Sequence, residues 1–195
     1  MDLHIQRLSG NWKEGIALDL HTNWSIPDSD SPSGWMTSRP PIAEELYQLK
    51  YCHDKTKVDI IATEVVNYFS KNCAQWKIDV IVPIPPSDTS RAFQPVYELA
   101  TSIGKKLKLP VDKSSLLKTK STSQLKSIED PDERKKILQG AFDIKLTTLQ
   151  NKNVLLFDDL FRSGETLNTA AEVILRKGKA KNIYVLTITK TRSKR

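Results

Sequence analysis

Two adjacent carboxylates, Asp158 and Asp159, follow the apolar run 154–157 and precede a short polar turn that contains one glycine. The apolar run is typical of a buried strand, and the spacing of apolar residues after the turn is typical of a helix. Like charges at such a strand end repel each other, and each carboxylate loses hydration where the site is closed. We therefore expect a ligand that pairs with carboxylates at this position.

The turn 161–166 after the two aspartates opens the expected helix. Backbone N–H groups at a helix start, together with the hydroxyls of Ser163 and Thr166, make a seat for a phosphate. Gly164 would let the backbone approach an oxygen closely. Carboxylates beside such a seat suit a ribose 5-phosphate, whose 2- and 3-hydroxyls they bind directly or through Mg²⁺. The alternative is that a hydroxyl of the turn only caps the helix and that the two acids are solvated.

The spacing of polar residues excludes several other classes of site. The adjacent acids do not match the D-x-D-x-T arrangement of haloacid-dehalogenase-like phosphatases, and a response-regulator receiver would carry its acid pair after the first strand. Neither a P-loop nor a G-x-G-x-x-G fingerprint is present. The three histidines and two cysteines do not complete a zinc site. Cys52 and Cys73 are expected to be reduced thiols, with a disulfide left open.

The chain is basic, with a net charge of +7 and a basic end at 190–195. Such charge suits nucleic acid, an anionic phosphate substrate or simple solubility. No aromatic-studded basic motif accompanies it, so nucleic acid is expected as a secondary partner at most. The first residues lack the apolar core of a signal peptide and no apolar run has the length of a membrane span, which predicts a cytoplasmic protein without a membrane partner.

Strands and helices alternate along most of the chain, which predicts a parallel sheet covered on both faces. Strands are expected at 15–22, 79–85, 153–159 and 182–190, and helices at 42–51, 58–69, 93–107 and 165–177. The polar stretch 118–136 is expected to begin as a loop, with a short helix at 131–138. The polar turns after 79–85 and 153–159 should share the sheet edge where ligands bind.

The segment VLLFDDLFRSGETL resembles the motif that binds phosphoribosyl pyrophosphate (PRPP) in type I phosphoribosyltransferases: four apolar residues, two acids and an [ST]-G-x-T loop. VIVPIPPSDTSRAFQPVYELA resembles the ComF-type subgroup, in which a V-P-V-P strand end precedes an Arg-Gly-Phe-Asn-Gln helix start. LKTKSTSQLKSIEDPDERKKILQGAF resembles the next block of that subgroup, and LKY at 49–51 matches an upstream piece. The resemblance covers about residues 42–189. It implies an α/β fold with a three-layer parallel sheet, preceded here by an N-terminal β and loop extension.

The resemblance also implies roles for individual residues. Asp158 and Asp159 are the candidate catalytic residues, which would hold the ribose hydroxyls and, directly or through them, Mg²⁺. The 5-phosphate would lie against Arg162, Ser163, Gly164, Glu165 and Thr166, and the pyrophosphate against Pro85, Ser87 and Arg91. Lys118, Lys120 and Gln124 fall in the flexible loop that closes over PRPP in this family, with an ordinary solvated loop as the alternative.

Several residues depart from the pattern of the relatives. Ala92, Gln94 and Pro95 stand where the ComF pattern has Gly, Asn and Gln, and the zinc-ribbon start of many ComF proteins is missing. Arg162 stands where purine-salvage relatives carry an aspartate and others a threonine. A cation there removes that route to general base catalysis and disfavours purine salvage. It adds a phosphate contact or favours an anionic acceptor.

We divide the chain into an extension at 1–41, a phosphoribosyltransferase-like domain at 42–190 and a basic tail at 191–195. The leading hypothesis is a Mg²⁺-dependent transferase that moves the phosphoribosyl group of PRPP to an unidentified acceptor and releases pyrophosphate. The alternatives are a PRPP- or nucleotide-binding regulator in a DNA-uptake, DNA-processing or defence system, and a nucleic-acid-binding protein with a vestigial site. A homodimer is compatible with the sequence, which does not decide the oligomeric state.

The extension combines aromatic and polar residues: Trp12, Asp19, His21, Trp24 and Trp35. They form either an acceptor-binding hood or, as the favoured interpretation, a set of packing anchors beside an incidental histidine. The tryptophans of the Ser- and Pro-rich connector at 23–41 predict that it docks on the domain.

Overall fold

The computed structural model describes residues 1–31, 34–119, 140–145 and 148–192. Within these residues the strands are β1 (Gln6–Arg7), β2 (Glu14–Leu20), β3 (Trp24–Pro27), β4 (Trp35–Ser38), β5 (Val80–Pro83), β6 (Leu116–Lys118), β7 (Phe142–Ile144), β8 (Asn153–Phe161) and β9 (Asn182–Lys190). The helices are α1 (Pro41–Tyr51), α2 (Lys57–Asn72), α3 (Pro95–Leu107) and α4 (Glu165–Arg176). The strands predicted at 15–22, 79–85, 153–159 and 182–190 and the helices predicted at 42–51, 58–69, 93–107 and 165–177 are confirmed. The helix expected at 131–138 lies outside the described residues.

The central sheet has five strands in the order β1-β2-β9-β8-β5. β2, β9, β8 and β5 run parallel, and β1 pairs antiparallel with β2 at the outer edge. A parallel bridge between Ile81 and Val111 adds a further segment beside β5. Because these four strands are parallel, their carboxyl ends meet at one edge of the sheet, which we call the carboxyl edge. The predicted α/β fold with a mostly parallel sheet is confirmed.

Apolar side chains cover the sheet on both faces. On one face α1, α2 and α3 pack residues such as Leu46 and Val65 against Phe157 of β8. On the other face α4 packs Leu167 and Ile174, together with the β6–β7 hairpin. Each large apolar side chain that becomes fully buried contributes about 1.5–3 kcal/mol, so the two cores hold the strands rigidly at the carboxyl edge.

β2 lies inside this sheet, between β1 and β9. Its residues 15–19 are buried, so both faces of the strand are covered. Asp19 is 1% exposed and accepts a hydrogen bond from the backbone N–H of His4. The alternation of residue types correctly predicted a strand, and pairing with β9 places that strand in the same sheet as the acid pair.

The β3–β4 hairpin forms a separate two-stranded sheet whose apolar side chains face outward. Trp24 is 46% exposed and Trp35 51% exposed, so neither is the buried packing anchor that the sequence predicted. A hydroxyl–hydroxyl hydrogen bond of 2.6 Å between Ser25 and Thr37 joins the two strands, together with their backbone ladder. Trp12, in contrast, is the expected anchor, because its ring meets the ring of Phe161 edge-on at 6.4 Å between centroids.

Cys52 is exposed and Cys73 is buried, and both are free thiols, as predicted. Among the described helices, none combines the length and the apolar character needed to cross a membrane.

Candidate functional site

β8 carries the acid pair within its length. The strand continues to Phe161, so both aspartates lie within the strand that pairs with β9 rather than in the turn beyond it. Successive side chains of a strand point to opposite faces. Asp159 therefore shares the face of Phe157, which packs against α1 to α3, while Asp158 shares the face of Leu156, which packs against α4.

Asp159 forms an ion pair with Lys50 of α1. The Lys50 Nζ lies 2.6 Å from Asp159 Oδ2, and the two side chains are 26% and 12% exposed. Burial lowers the pKa of Lys50, but the charge and hydrogen bond of Asp159 outweigh it and raise the pKa above its ordinary value. Lys50 therefore stays an ammonium and neutralises one of the two carboxylates, in surroundings where an ion pair is stronger than at an exposed surface.

The surroundings of Asp158 favour its protonated form, whereas Asp159 has a cation beside it. Burial first, and then the neighbouring Asp159 carboxylate, raise the pKa of Asp158 to about 7. The backbone N–H of Asp159 donates to Asp158 Oδ1 at 2.9 Å, and the charges of Lys50 and Lys118 offset only part of the rise. Near neutral pH, Asp158 can thus exchange its proton when a ligand or cation changes the local charge.

The turn between β8 and α4 depends on Gly164. This glycine precedes α4 with φ of 80°, and a Cβ added to it would lie 2.7 Å from the Phe161 ring. Both the left-handed backbone and the close ring therefore require glycine. Arg162 and Ser163 are exposed at the carboxyl edge, and the half-buried Glu165 and Thr166 begin the helix. The first N–H groups of α4 point to the same edge as the acid pair.

The loop after β5 reaches the acid pair through a lysine. Pro85 is buried and Ser87 is exposed, and Lys118 Nζ at the end of β6 donates to Ser87 Oγ at 2.7 Å. Burial lowers the pKa of Lys118, and the nearby charge of Asp158 acts against this shift. Ser87, Lys118 and Asp158 therefore lie together at the carboxyl edge.

Arg91, which was predicted to bind the pyrophosphate, pairs with a carboxylate of its own loop. Its Nε lies 3.1 Å from Asp88 Oδ2, with side chains 69% and 48% exposed, and Gln94 Nε2 donates to the carbonyls of both residues. A cavity of about 500 Å³ adjoins this loop, and its lining includes Arg91, Gln94, Tyr97, Leu116 and Lys118. Arg91 is thus held within its own loop, and the predicted residues Lys120 and Gln124 lie outside the described residues.

His21 joins the carboxyl edge from β2. Its backbone N–H donates to the carbonyl of Lys190 at 2.7 Å, and its Nδ1 lies 3.1 Å from Thr189 Oγ1. The same Thr189 hydroxyl donates to the carbonyl of Asp159 at 3.4 Å. Burial and then the charge of Lys50 lower the pKa of His21, so the imidazole is neutral near pH 7.

Lys50 and Thr189 lie at the site although neither was predicted there from the sequence. The LKY match at 49–51 was the available signal for Lys50, since it placed a lysine directly after Leu49, a fully buried residue of α1. Thr189 carried no comparable signal, because a threonine in a β-branched strand is common.

The acid pair has oxygen donors of the kind that Mg²⁺ prefers. Within the described residues, no group of three or more His, Cys, Asp or Glu side chains could hold a metal ion. Mg²⁺ at phosphate-binding sites usually takes one or two protein carboxylates and completes its shell with substrate phosphates and water. Asp158 and Asp159 fit that mode, whereas an all-protein cage does not fit these residues.

Comparison with known proteins agrees with this geometry. The family model for the phosphoribosyl transferase domain matches residues 53–195. Competence protein ComFC of Bacillus subtilis (strain 168) is 28% identical over 148 residues, which are 74% of this chain and 58% of the length of that relative. The adenine phosphoribosyltransferase of Leishmania tarentolae superposes with a TM-score of 0.50 and 12% identity, over 97% of this chain and 95% of that structure, which shows a shared fold. The chain belongs to the phosphoribosyl transferase domain family, of type I, as the resemblance implied.

Proposed function

We propose that the chain binds PRPP at the carboxyl edge and transfers its phosphoribosyl group to a nucleophilic acceptor. The observation that supports this most directly is the single strand–turn–helix unit that carries Asp158, Asp159 and Gly164. Carboxylates accept hydrogen bonds from ribose hydroxyls, and the N–H groups of a helix start bind a phosphate. In this proposal the acid pair faces the ribose hydroxyls and the helix start faces the 5-phosphate.

In this proposal each side of the site has its own task. The residues 163–166 surround the 5-phosphate, and Asp158 and Asp159 orient the ribose. Ser87 and Lys118, which are 2.7 Å apart beside Asp158, bind the pyrophosphate. Mg²⁺ would be held by the acid pair through oxygen atoms, and its charge would neutralise the pyrophosphate.

The transfer breaks the bond between the anomeric carbon and the pyrophosphate oxygen, which leaves with the electron pair. The acceptor forms the new bond to the same carbon with its lone pair and loses a proton to solvent. The two carboxylates stabilise the positive charge that develops on the ribose, and Lys118 stabilises the leaving group. These charges are held in place by packed strands, so little reorganisation accompanies the reaction.

A second candidate is a PRPP-binding regulator without turnover. Two ion pairs favour it: Lys50 pairs with Asp159, and Arg91 pairs with Asp88. The carboxylate of Asp159 and the guanidinium of Arg91, which the transfer reaction would use, are therefore already paired within the protein. The relative ComFC is named a competence protein, which would place such a regulator in DNA uptake.

Calorimetric titration of PRPP with Mg²⁺ tests the proposal, with pyrophosphate release measured in parallel. We expect the double variant Asp158→Asn/Asp159→Asn to bind at least about 30-fold more weakly, because hydrogen bonds to charged groups contribute about 1.5–3 kcal/mol each. Glu172→Gln is the matched control, since this exposed acid of α4 pairs only with Arg176 among the described residues.

The two readouts separate the candidates. Binding together with pyrophosphate release in the presence of an acceptor supports the transferase. Binding that depends on the acid pair but gives no release with any acceptor in a broad panel supports the regulator. Folded wild-type protein that does not bind PRPP would overturn both.

A further inference from the structure

Basic side chains from four separate parts of the chain meet at the carboxyl edge. We call His21, Arg39, Lys50 and Arg162 the basic rim; Lys50 lies in α1, and the others directly follow β2, β4 and β8. His21 and Arg162 flank the end of β9 on its two sides. His21 donates its backbone N–H to the Lys190 carbonyl, and Lys190 is paired in register with Phe161, the residue before Arg162. The parallel ladder therefore sets the positions of both residues.

Arg39 and Lys50 complete the basic rim from the other side. Two hydrogen bonds between Asn23 and Ser38 close the base of the β3–β4 hairpin, with lengths of 2.8 Å between backbone atoms and 3.2 Å between side chains. This closure brings Arg39 beside the segment that follows His21. The Arg39 guanidinium then lies 3.9 Å from the centroid of the Tyr47 ring, one turn before Lys50 on α1.

The three cationic residues of the basic rim all lie close enough to His21 to affect its pKa. Lys50, Arg39 and Arg162 each lower the pKa of His21, after the larger effect of burial, while Asp159 opposes them. The facing carboxylates are Asp159, which is bound to Lys50, and Glu44, which is bound to Arg39 at 3.3 Å and is 44% exposed. Within the described residues Arg162 has no ion-pair partner, so it presents an uncompensated guanidinium to a ligand.

We infer that the basic rim binds an acidic group of the acceptor, and that the acceptor is a nucleophile which carries a carboxylate. This inference rests on the proposed function, because the ribose of PRPP must occupy Asp159 for an acceptor to lie beside the basic rim. A ribose bound to Asp159 would also compete with Lys50 for the Asp159 carboxylate and so release the Lys50 ammonium. Lys50 and Arg162 would then both face the acceptor, and a guanidinium matches a carboxylate with two parallel hydrogen bonds.

Matched pairs of probes that differ in a carboxylate test the inference. Protein saturated with PRPP and Mg²⁺ is titrated with nicotinate and nicotinamide, and with orotate and uracil. We expect the carboxylate of at least one pair to bind 10-fold or more tightly than its neutral partner, the size of effect of one charge-assisted contact. The same samples report PRPP binding first, so a failure of the proposed function is recognised before any probe is added.

Variants assign the discrimination to the basic rim. We expect Arg162→Gln to reduce the preference for the carboxylate to about 2-fold, and Arg162→Lys to restore part of it. Arg39→Gln should reduce the preference while leaving PRPP affinity unchanged. Arg176→Gln is the matched control, because this exposed arginine lies at the far end of α4.

The inference would be overturned by neutral partners that bind as tightly as the carboxylates, by a preference that survives Arg162→Gln and Arg39→Gln, or by no binding of any probe although PRPP binds. A loss of PRPP affinity in Arg162→Gln without any change in carboxylate preference would assign Arg162 to the 5-phosphate instead and would also overturn it.

Discussion

The substitution Asp158→Asn should stabilise the folded protein above neutral pH, although it removes a residue of the proposed site. The pKa of Asp158 is raised from 3.8 to about 7 in the folded state by burial and by Asp159. Between these two values the folded protein keeps a proton that the unfolded chain has lost. Stability therefore falls as pH rises through this window, and the cost is largest above pH 7.

The size of the effect follows from the shift. A difference of about three pKa units corresponds to about 4 kcal/mol at most, since one unit is about 1.4 kcal/mol. Asp158 is partly accessible and lies near Lys50 and Lys118, which reduces the cost, so we expect a gain of about 2 kcal/mol at pH 8. For a domain of this length, that gain raises the melting temperature by about 4–8 °C.

Thermal unfolding of wild type and Asp158→Asn at several pH values between 4 and 8 measures this gain. The two proteins should have equal stability near pH 4, where the aspartic acid is neutral like asparagine, and should diverge as pH rises to 8. A difference that stays constant with pH, or a variant that is less stable at pH 8, would show that the folded protein does not raise the pKa of Asp158.

Asp112→Asn is a control of opposite sign. Burial raises the pKa of Asp112, but hydrogen bonds from Ser115, Ser114 and Thr148 outweigh it and lower the pKa to about 2. The ionised form is therefore stabilised by folding, and this stability is present above the unfolded pKa of 3.8 and lost as pH falls towards 2. Its replacement by asparagine should destabilise the protein at pH 7.

Three further substitutions test separate parts of the structure. Gly164→Ala should lower the free energy of unfolding in urea by more than Gly34→Ala, because both glycines have positive φ but only the first has a ring within 3 Å of the added Cβ, and the backbone conformation alone costs about 1–2 kcal/mol. Lys50→Met should cost about 1–3 kcal/mol at pH 7, whereas Lys106→Met, which removes an exposed ion pair, should cost less than about 1 kcal/mol; equal losses would show that the buried pair has no special weight. Trp24→Ser should change the free energy of unfolding by less than about 0.5 kcal/mol, and a larger loss would mean that the hairpin packs on the domain in solution.

The local elements could be predicted because their signals lie within a few residues. The apolar run before Asp158 predicted β8, and the spacing after Gly164 predicted α4. The exposure of Trp24 could not be predicted, because aromatic residues suggest burial and only the surrounding fold shows whether a surface is there to receive them. The position of β2 inside the sheet could not be predicted either, because it depends on pairing with β9, which is more than 160 residues away in the chain.

The acid pair, the glycine turn and the α/β order follow from the sequence, because short-range sterics and the periodicity of apolar residues decide strand, turn and helix. The charge state of the pair, in contrast, depends on the tertiary structure. Asp159 is paired with Lys50 from α1, and Asp158 is half-buried near Lys118 from β6, so one carboxylate is neutralised and the other holds a proton up to about pH 7. The ionisation of a carboxyl group depends on its burial and its charged neighbours, and folding brings both from distant parts of the chain.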